Sequence, residues 1–170
     1  MIEFFSEQVP LPALDYEKIE KWIQAVAASH GFEVGSITYC FCDDPYILSV
    51  NRQFLNHDYF TDIITFDYTR HYKAGPEERK EAGSADSKEK IGETSRESIM
   101  LGKIGGDMVI SIDTVRSNAL SLGVSYDQEL LRVIIHGVLH LCGIDDKGPG
   151  EREIMEANEN AALALLFSCQ

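Results

Sequence analysis

Hydrophobic and polar positions change period several times along the chain, and each change marks an element. Ile2–Phe5 is a short apolar run suited to an edge strand, followed by the Pro10-Leu-Pro12 loop. From Asp15 the period becomes helical. Ile19, Trp22, Ile23, Val26 and Ala27 form one stripe, with Asp15 placed to cap its start and His30-Gly31 to end it. Glu33–Phe41 returns to alternation, with Ile37, Tyr39 and Phe41 on one face. Asp43-Asp44-Pro45 then opens a second helix, along which Leu48, Asn51, Arg52 and Leu55 lie. Thr61–Tyr68 is β-branched and aromatic, which predicts a strand.

From His71 to about Met100 periodicity is lost. The segment carries seven Asp/Glu against six Lys/Arg, with few large apolar residues. Such a stretch buries too little surface to offset its ordering entropy, and it is expected to be a flexible insertion at about 71–100. Its main expected role is a solvated spacer, with docking or regulation as the alternative. Gly106–Ile112 resumes a strand. Asp113 is placed to cap a short helix ending at Gly123, and Ser125-x-x-Gln128 has the spacing of a capping box. The helix it opens is apolar nearly all round, from Leu130 to Leu141, so burial is expected. Pro149 stands near the start of a further helix, Glu151 to about Phe167. The order predicts an α+β fold, a single domain over 1–170. One small mixed β-sheet packs against helices, and a central helix carries two histidines in a zincin-like arrangement.

Bulk properties narrow the partners. At 170 residues, with 44% hydrophobic and 25% charged positions, the chain has the composition of an ordinary globular domain. A net charge of −13 disfavours indiscriminate binding to nucleic acid or anionic membranes, but leaves room for a local cationic site. Neither a secretory leader nor a membrane-length apolar run is expected, so the default location is cytoplasmic. The four cysteines form no Cys-x-x-Cys pair, and Cys40 and Cys42 alternate as strand residues facing one packed layer.

The chemistry concentrates in His136-Gly-Val-Leu-His140-Leu-Cys-Gly143-Ile-Asp145-Asp146. Histidines at i and i+4 share one helix face, and a buried pair needs polar partners that a single metal ion supplies. Gly143 is suited to a left-handed helix stop that turns the chain back, bringing Asp146, or less securely Asp145, to the ion as an oxygen ligand. His136, His140 and Asp146 would leave a fourth position for water, as catalytic zinc sites do. The residue after His136 is Gly137, where zincin proteases place their general-base glutamate. A hydrolytic reaction would therefore need another base, such as Asp145, or a substrate phosphate oxygen.

These segments resemble the bacterial YbeY family of zinc-dependent endoribonucleases that mature ribosomal RNA. The family's His-Gly-x-Leu-His-Leu-x-Gly-Tyr-Asp-His is met at His136, Gly137, Leu139, His140, Leu141, Gly143 and Asp145. A second family segment is met from Asn51 through Phe54, Asp58, Thr61 and Asp62 to Phe66, and Gly-Asp-Ile-x-Ile-Ser at Gly106-Asp107-Met-Val-Ile110-Ser111. The resemblance implies one zinc ion and cleavage of single-stranded RNA in 16S ribosomal RNA processing. The implied partners are ribosomal RNA, the small ribosomal subunit and a ribosomal protein, with no DNA and no membrane.

Two positions depart from the pattern. Asp146 stands where the family has a third histidine, and Leu55 stands where it has an arginine expected to meet RNA phosphate. Arg52 is the candidate to replace that cation, against the alternative of an ordinary solvent-facing arginine. His57 and Asp58 are either cleft or surface-turn residues. Asp62 and Asp107 are expected to organise strand ends or orient ligands, and His30 and His71 to be structural or solvated. Two rival readings stand beside the nuclease: a ribosome-assembly factor with a structural zinc, and a zinc hydrolase of another substrate class.

Overall fold

A computed structural model describes residues 1–69 and 102–168. The elements are β1 (Ile2–Ser6), α1 (Tyr16–Ser29), β2 (Phe32–Cys42), α2 (Asp44–Val50) running into a single π-helical turn (Asn51–Leu55), β3 (Ile63–Asp67), β4 (Gly102–Ser111), α3 (Ile112–Leu122), α4 (Tyr126–Leu141) and α5 (Glu151–Ser168). The α+β architecture and the element order agree with the sequence pattern. The expected insertion at 71–100 and its His71 lie outside the described residues.

The sheet has the order β1-β2-β4-β3. Parallel pairing joins β1 to β2 and β2 to β4, and β3 runs antiparallel to β4, so the sheet is mixed. Strand alternation sorts its two faces. Ile37, Tyr39 and Phe41 of β2, with Ile104, Met108 and Ile110 of β4, enter the main core beneath the helices. On the other face Cys40, Cys42, Ile64 and Val109 pack against Ile47 of α2. Burial pushes the Cys40 thiol up to about 11 and the Cys42 thiol to about 12, so both remain protonated packing residues at neutral pH.

The helix α4 forms the centre of the main layer. Ser125 and Gln128 close the expected capping box at its start. Leu130, Ile134, Ile135, Val138 and Leu139 are fully buried, and the Tyr39 hydroxyl donates to the Ile134 carbonyl at 3.2 Å. Beside α4, α5 is fastened to α1. The Trp22 indole donates to the Ala162 carbonyl at 2.7 Å, and His30 Nε2 lies 3.1 Å from Asn158 Oδ1, which gives His30 a structural place.

Three local expectations are corrected. Strand β4 begins at Gly102 rather than Gly106, because the glycine-rich start is held against β2. Ser111, not Asp113, caps α3. Its hydroxyl accepts from Thr114 N at 3.2 Å and donates to Asp44 at 2.5 Å, while Asp113 sits in the first turn and accepts from Asp44 N. After Val50 the helix widens into the π turn. Asn51 is buried there and donates to the Tyr59 carbonyl at 2.8 Å. The α-helical spacing that put Arg52 and Leu55 on one face therefore does not hold.

Candidate metal centre

The site is built on the last turn of α4 and the reversal after it. Gly143 adopts φ +89°, the left-handed conformation that stops the helix, and Ile144 N bonds back to the Leu139 carbonyl at 3.0 Å. This reversal returns Asp146 to the two imidazoles. His136 Nε2 and His140 Nε2 are 2.9 Å apart, and Asp146 oxygens lie 3.6 Å from the first and 3.8 Å from the second. Tetrahedral bonds of about 2.1 Å require donors about 3.4 Å apart, and the observed separations bracket that value. The two imidazoles and the carboxylate, all partly exposed, thus form a donor set that fits one metal ion.

The imidazoles face different surroundings. His136 Nδ1 lies 2.7 Å from Glu159 Oε1 of α5, and the second oxygen of Glu159 accepts from Arg132 at 2.8 Å. In the metal-free chain, burial pulls the His136 proton affinity down. The Glu159 hydrogen bond and charge, with Asp146 and Asp62, outweigh it and leave the pKa raised. His140 is lowered, first by burial and then by its neighbour His136. Burial also acts on Glu159, but its bonds to His136 and Arg132 prevail and hold its carboxyl below the usual range.

Two of the donors, His136 and Asp146, line a cleft of about 640 Å³ whose walls carry Asp62, Glu129, Arg132, Arg152, Glu156 and Glu159 beside apolar residues such as Leu122 and Met155. Asp62 holds the start of β3, accepting from Ile63 N at 2.8 Å, and its other oxygen accepts from Asn118 at 3.3 Å. Glu129 is buried, and its Oε2 has no hydrogen-bond partner among the described residues. Burial raises its carboxyl above the ordinary range.

The remaining candidates are not brought into this cleft. Arg52 Nε is engaged with Asp58 at 2.6 Å on the exposed π turn, and the arginines lining the cleft are Arg132 and Arg152. His57 stacks on Tyr59, and Asp107 accepts from the Tyr68 hydroxyl at the far end of β3. Asp145 is exposed on the turn and does not line the cleft. Gly137 shows why no glutamate follows His136. A Cβ there would stand 2.6 Å from Met108 Sδ and 3.0 Å from Ile63 Cδ1, because α4 rests directly on the sheet.

Glu129, Arg132 and Glu159 were not singled out from sequence, although signals were present. Glu129 and Arg132 are charges within an apolar helix. Glu159 falls on the buried stripe Met155, Glu159, Ala162 and Leu166 of α5.

Fold and site together define an α+β protein with two histidines on a central helix and an aspartate on the turn after it, a group that could bind a metal ion. The profile of the family described as Endoribonuclease YbeY matches residues 2–166. The chain belongs to that family. Proteins named Endoribonuclease YbeY from Phocaeicola vulgatus and Parabacteroides distasonis are similar to it. The first is 50% identical over 166 residues, covering 98% of this chain and 99% of the relative. The second is 48% identical over 165 residues, covering 97% and 95%. A solution structure of a Thermotoga maritima protein shares the fold with a TM-score of 0.56 at 19% identity, covering 99% of this chain and 93% of that one.

Proposed function

We propose that this protein is a zinc-dependent endoribonuclease that cleaves single-stranded RNA during ribosome maturation and quality control, acting on 16S ribosomal RNA of the small subunit in the cytoplasm. The observation that carries the reading is the convergence of His136, His140 and Asp146, two of which line a cleft that also holds charged side chains, in a chain of this family. His136, His140 and Asp146 would hold a zinc ion, which would supply Lewis-acid charge to a phosphoryl oxygen and lower the pKa of a water toward about 7. Arg152 lines the cleft and forms no ion pair among the described residues, which leaves it placed to meet a phosphate. Peptide hydrolysis of the His-Glu-x-x-His kind is disfavoured, since the general-base position is closed by Met108 and Ile63. Among the described residues no helix is long and apolar enough to cross a membrane.

One observation favours a second reading, a ribosome-assembly factor whose zinc is structural. The cleft is rich in carboxylates, Arg132 is paired with Glu159, and Arg52 faces Asp58 instead of the cleft. The deciding experiment incubates purified protein with assembled small subunits and with free ribosomal RNA, with and without chelator. We expect RNA cleavage that chelation abolishes and added zinc restores, and that His136→Ala lowers at least about 100-fold. Tight subunit binding without cleavage by the zinc-loaded protein would overturn the nuclease in favour of the assembly factor.

A further inference from the structure

The donor set explains how a metal ion is held, but not why the two imidazoles present the correct nitrogens. A neutral imidazole carries its proton on either Nδ1 or Nε2, and only the unprotonated nitrogen can bind a metal. His136 Nε2 faces His140 Nε2 and Asp146, so it is the nitrogen that has to be bare for a metal to bind there. Its Nδ1 meets Glu159 Oε1 at 2.7 Å, and that oxygen, on a carboxylate, can only accept. The contact is made only when the proton sits on Nδ1.

Glu159 is itself held from the same helix it serves. Arg132 lies one turn before His136 on α4. One guanidinium nitrogen donates to Glu159 Oε2 at 2.8 Å, and another to Asn160 Oδ1 at 2.9 Å. Both carboxylate oxygens are thereby used, one on the imidazole and one on the guanidinium. The Glu159 side chain is nearly buried, with 10% relative exposure, so its carboxylate is little open to competing water although Arg132 and His136 are each partly exposed. A carboxylate kept only for helix packing would need Arg132 alone. Its second oxygen instead makes the shorter contact of the pair, and makes it to a metal ligand.

We propose that Glu159, clamped by Arg132, is the positioning residue of the metal centre: it fixes the Nδ1–H form and ring orientation of His136, and so presents Nε2 to the ion. This rests on the metal-binding part of the reading above and is independent of the RNA substrate. Without Glu159 the imidazole is free to rotate and to place its proton on the nitrogen that should bind.

The test is metal binding by the full chain, read by competition for zinc against a chromogenic chelator and by the visible spectrum of the cobalt(II)-loaded protein. Glu159→Ala is expected to weaken zinc affinity about 10- to 100-fold and to perturb the cobalt bands. Glu159→Gln keeps the volume and an oxygen acceptor, so a smaller loss is expected, and it decides the case should the alanine variant fail to fold. Arg132→Ala should lose less than Glu159→Ala, since it loosens the carboxylate without removing it. Folded Glu159 variants that hold zinc within about twofold of wild type, with unchanged cobalt bands, would overturn the proposal. Wild-type protein that binds neither metal would overturn the metal centre itself, a result read before any variant is compared.

Discussion

Single carboxyl groups in this cleft have opposite energetic signs. Glu159 is satisfied on both oxygens, whereas Glu129 is buried with one oxygen unpartnered among the described residues. Burial raises the Glu129 carboxyl above the ordinary glutamate value of 4.5. Arg132 opposes the shift, and Asp62 and Glu159 reinforce it. A carboxyl raised on folding contributes stability below its unfolded pKa and loses it as pH rises through the folded value. Glu129→Gln is therefore expected to gain stability relative to wild type as pH rises from 4.5 to 8. Urea unfolding of the metal-free protein at both pH values checks this, and a difference that does not vary with pH would refute it. The contrast also shows what sequence can reveal. His136, His140 and Asp146 lie on one helix turn and its reversal, so local spacing was enough to find them. Glu129 was hidden because its surroundings include Asp62 and Glu159, which come from other segments of the chain.

At the level of elements, two glycines set how closely the layers approach. A Cβ on Gly106 would run into the Phe66 backbone carbonyl of the neighbouring β3, with Leu141 Cδ2 3.1 Å away. At Gly137 the nearest obstacle is the thioether end of Met108, a flexible side chain, although one packed in the core. Gly106→Ala should cost roughly 2–3 kcal/mol by parting β3 from β4. Gly137→Ala should cost about 1 kcal/mol or less, since alanine's helix preference offsets part of the overpacking. Thermal melts of the two variants rank them, and the reverse order would show that the helix–sheet contact is the stiffer one. Most elements were legible because burial follows period, as in the α1 stripe. The start of β4 was not, since Gly102-Lys-Ile-Gly-Gly has the composition of a loop and becomes a strand only through its register with β2. The Ser111 cap was equally obscure, because Asp113 is the more conspicuous acid and Ser111 gains its role from Asp44, far away in sequence.

For the whole molecule, charge sets how RNA would be met. With a net charge of −13 and Arg132 already paired, the cleft offers few cations to phosphate. Binding of single-stranded RNA should then depend weakly on salt, with a log–log slope no steeper than about −1.5, as expected for about two phosphate contacts. Fluorescence anisotropy across a salt series measures it, and a slope beyond about −3 would move the contact to basic residues outside the cleft. The arrangement of α4 and α5 has a consequence for how the protein is made. The three metal donors lie within one short stretch, so little chain closure is needed to gather them. The carboxylate that orients His136 lies on the next helix, which leaves the ribosome later. A nascent chain thus has its donors before it has their alignment. With Glu159 in the role proposed for it, full metal affinity is expected only once α5 docks against α1 and α4, so tight metal binding would mark a completed fold.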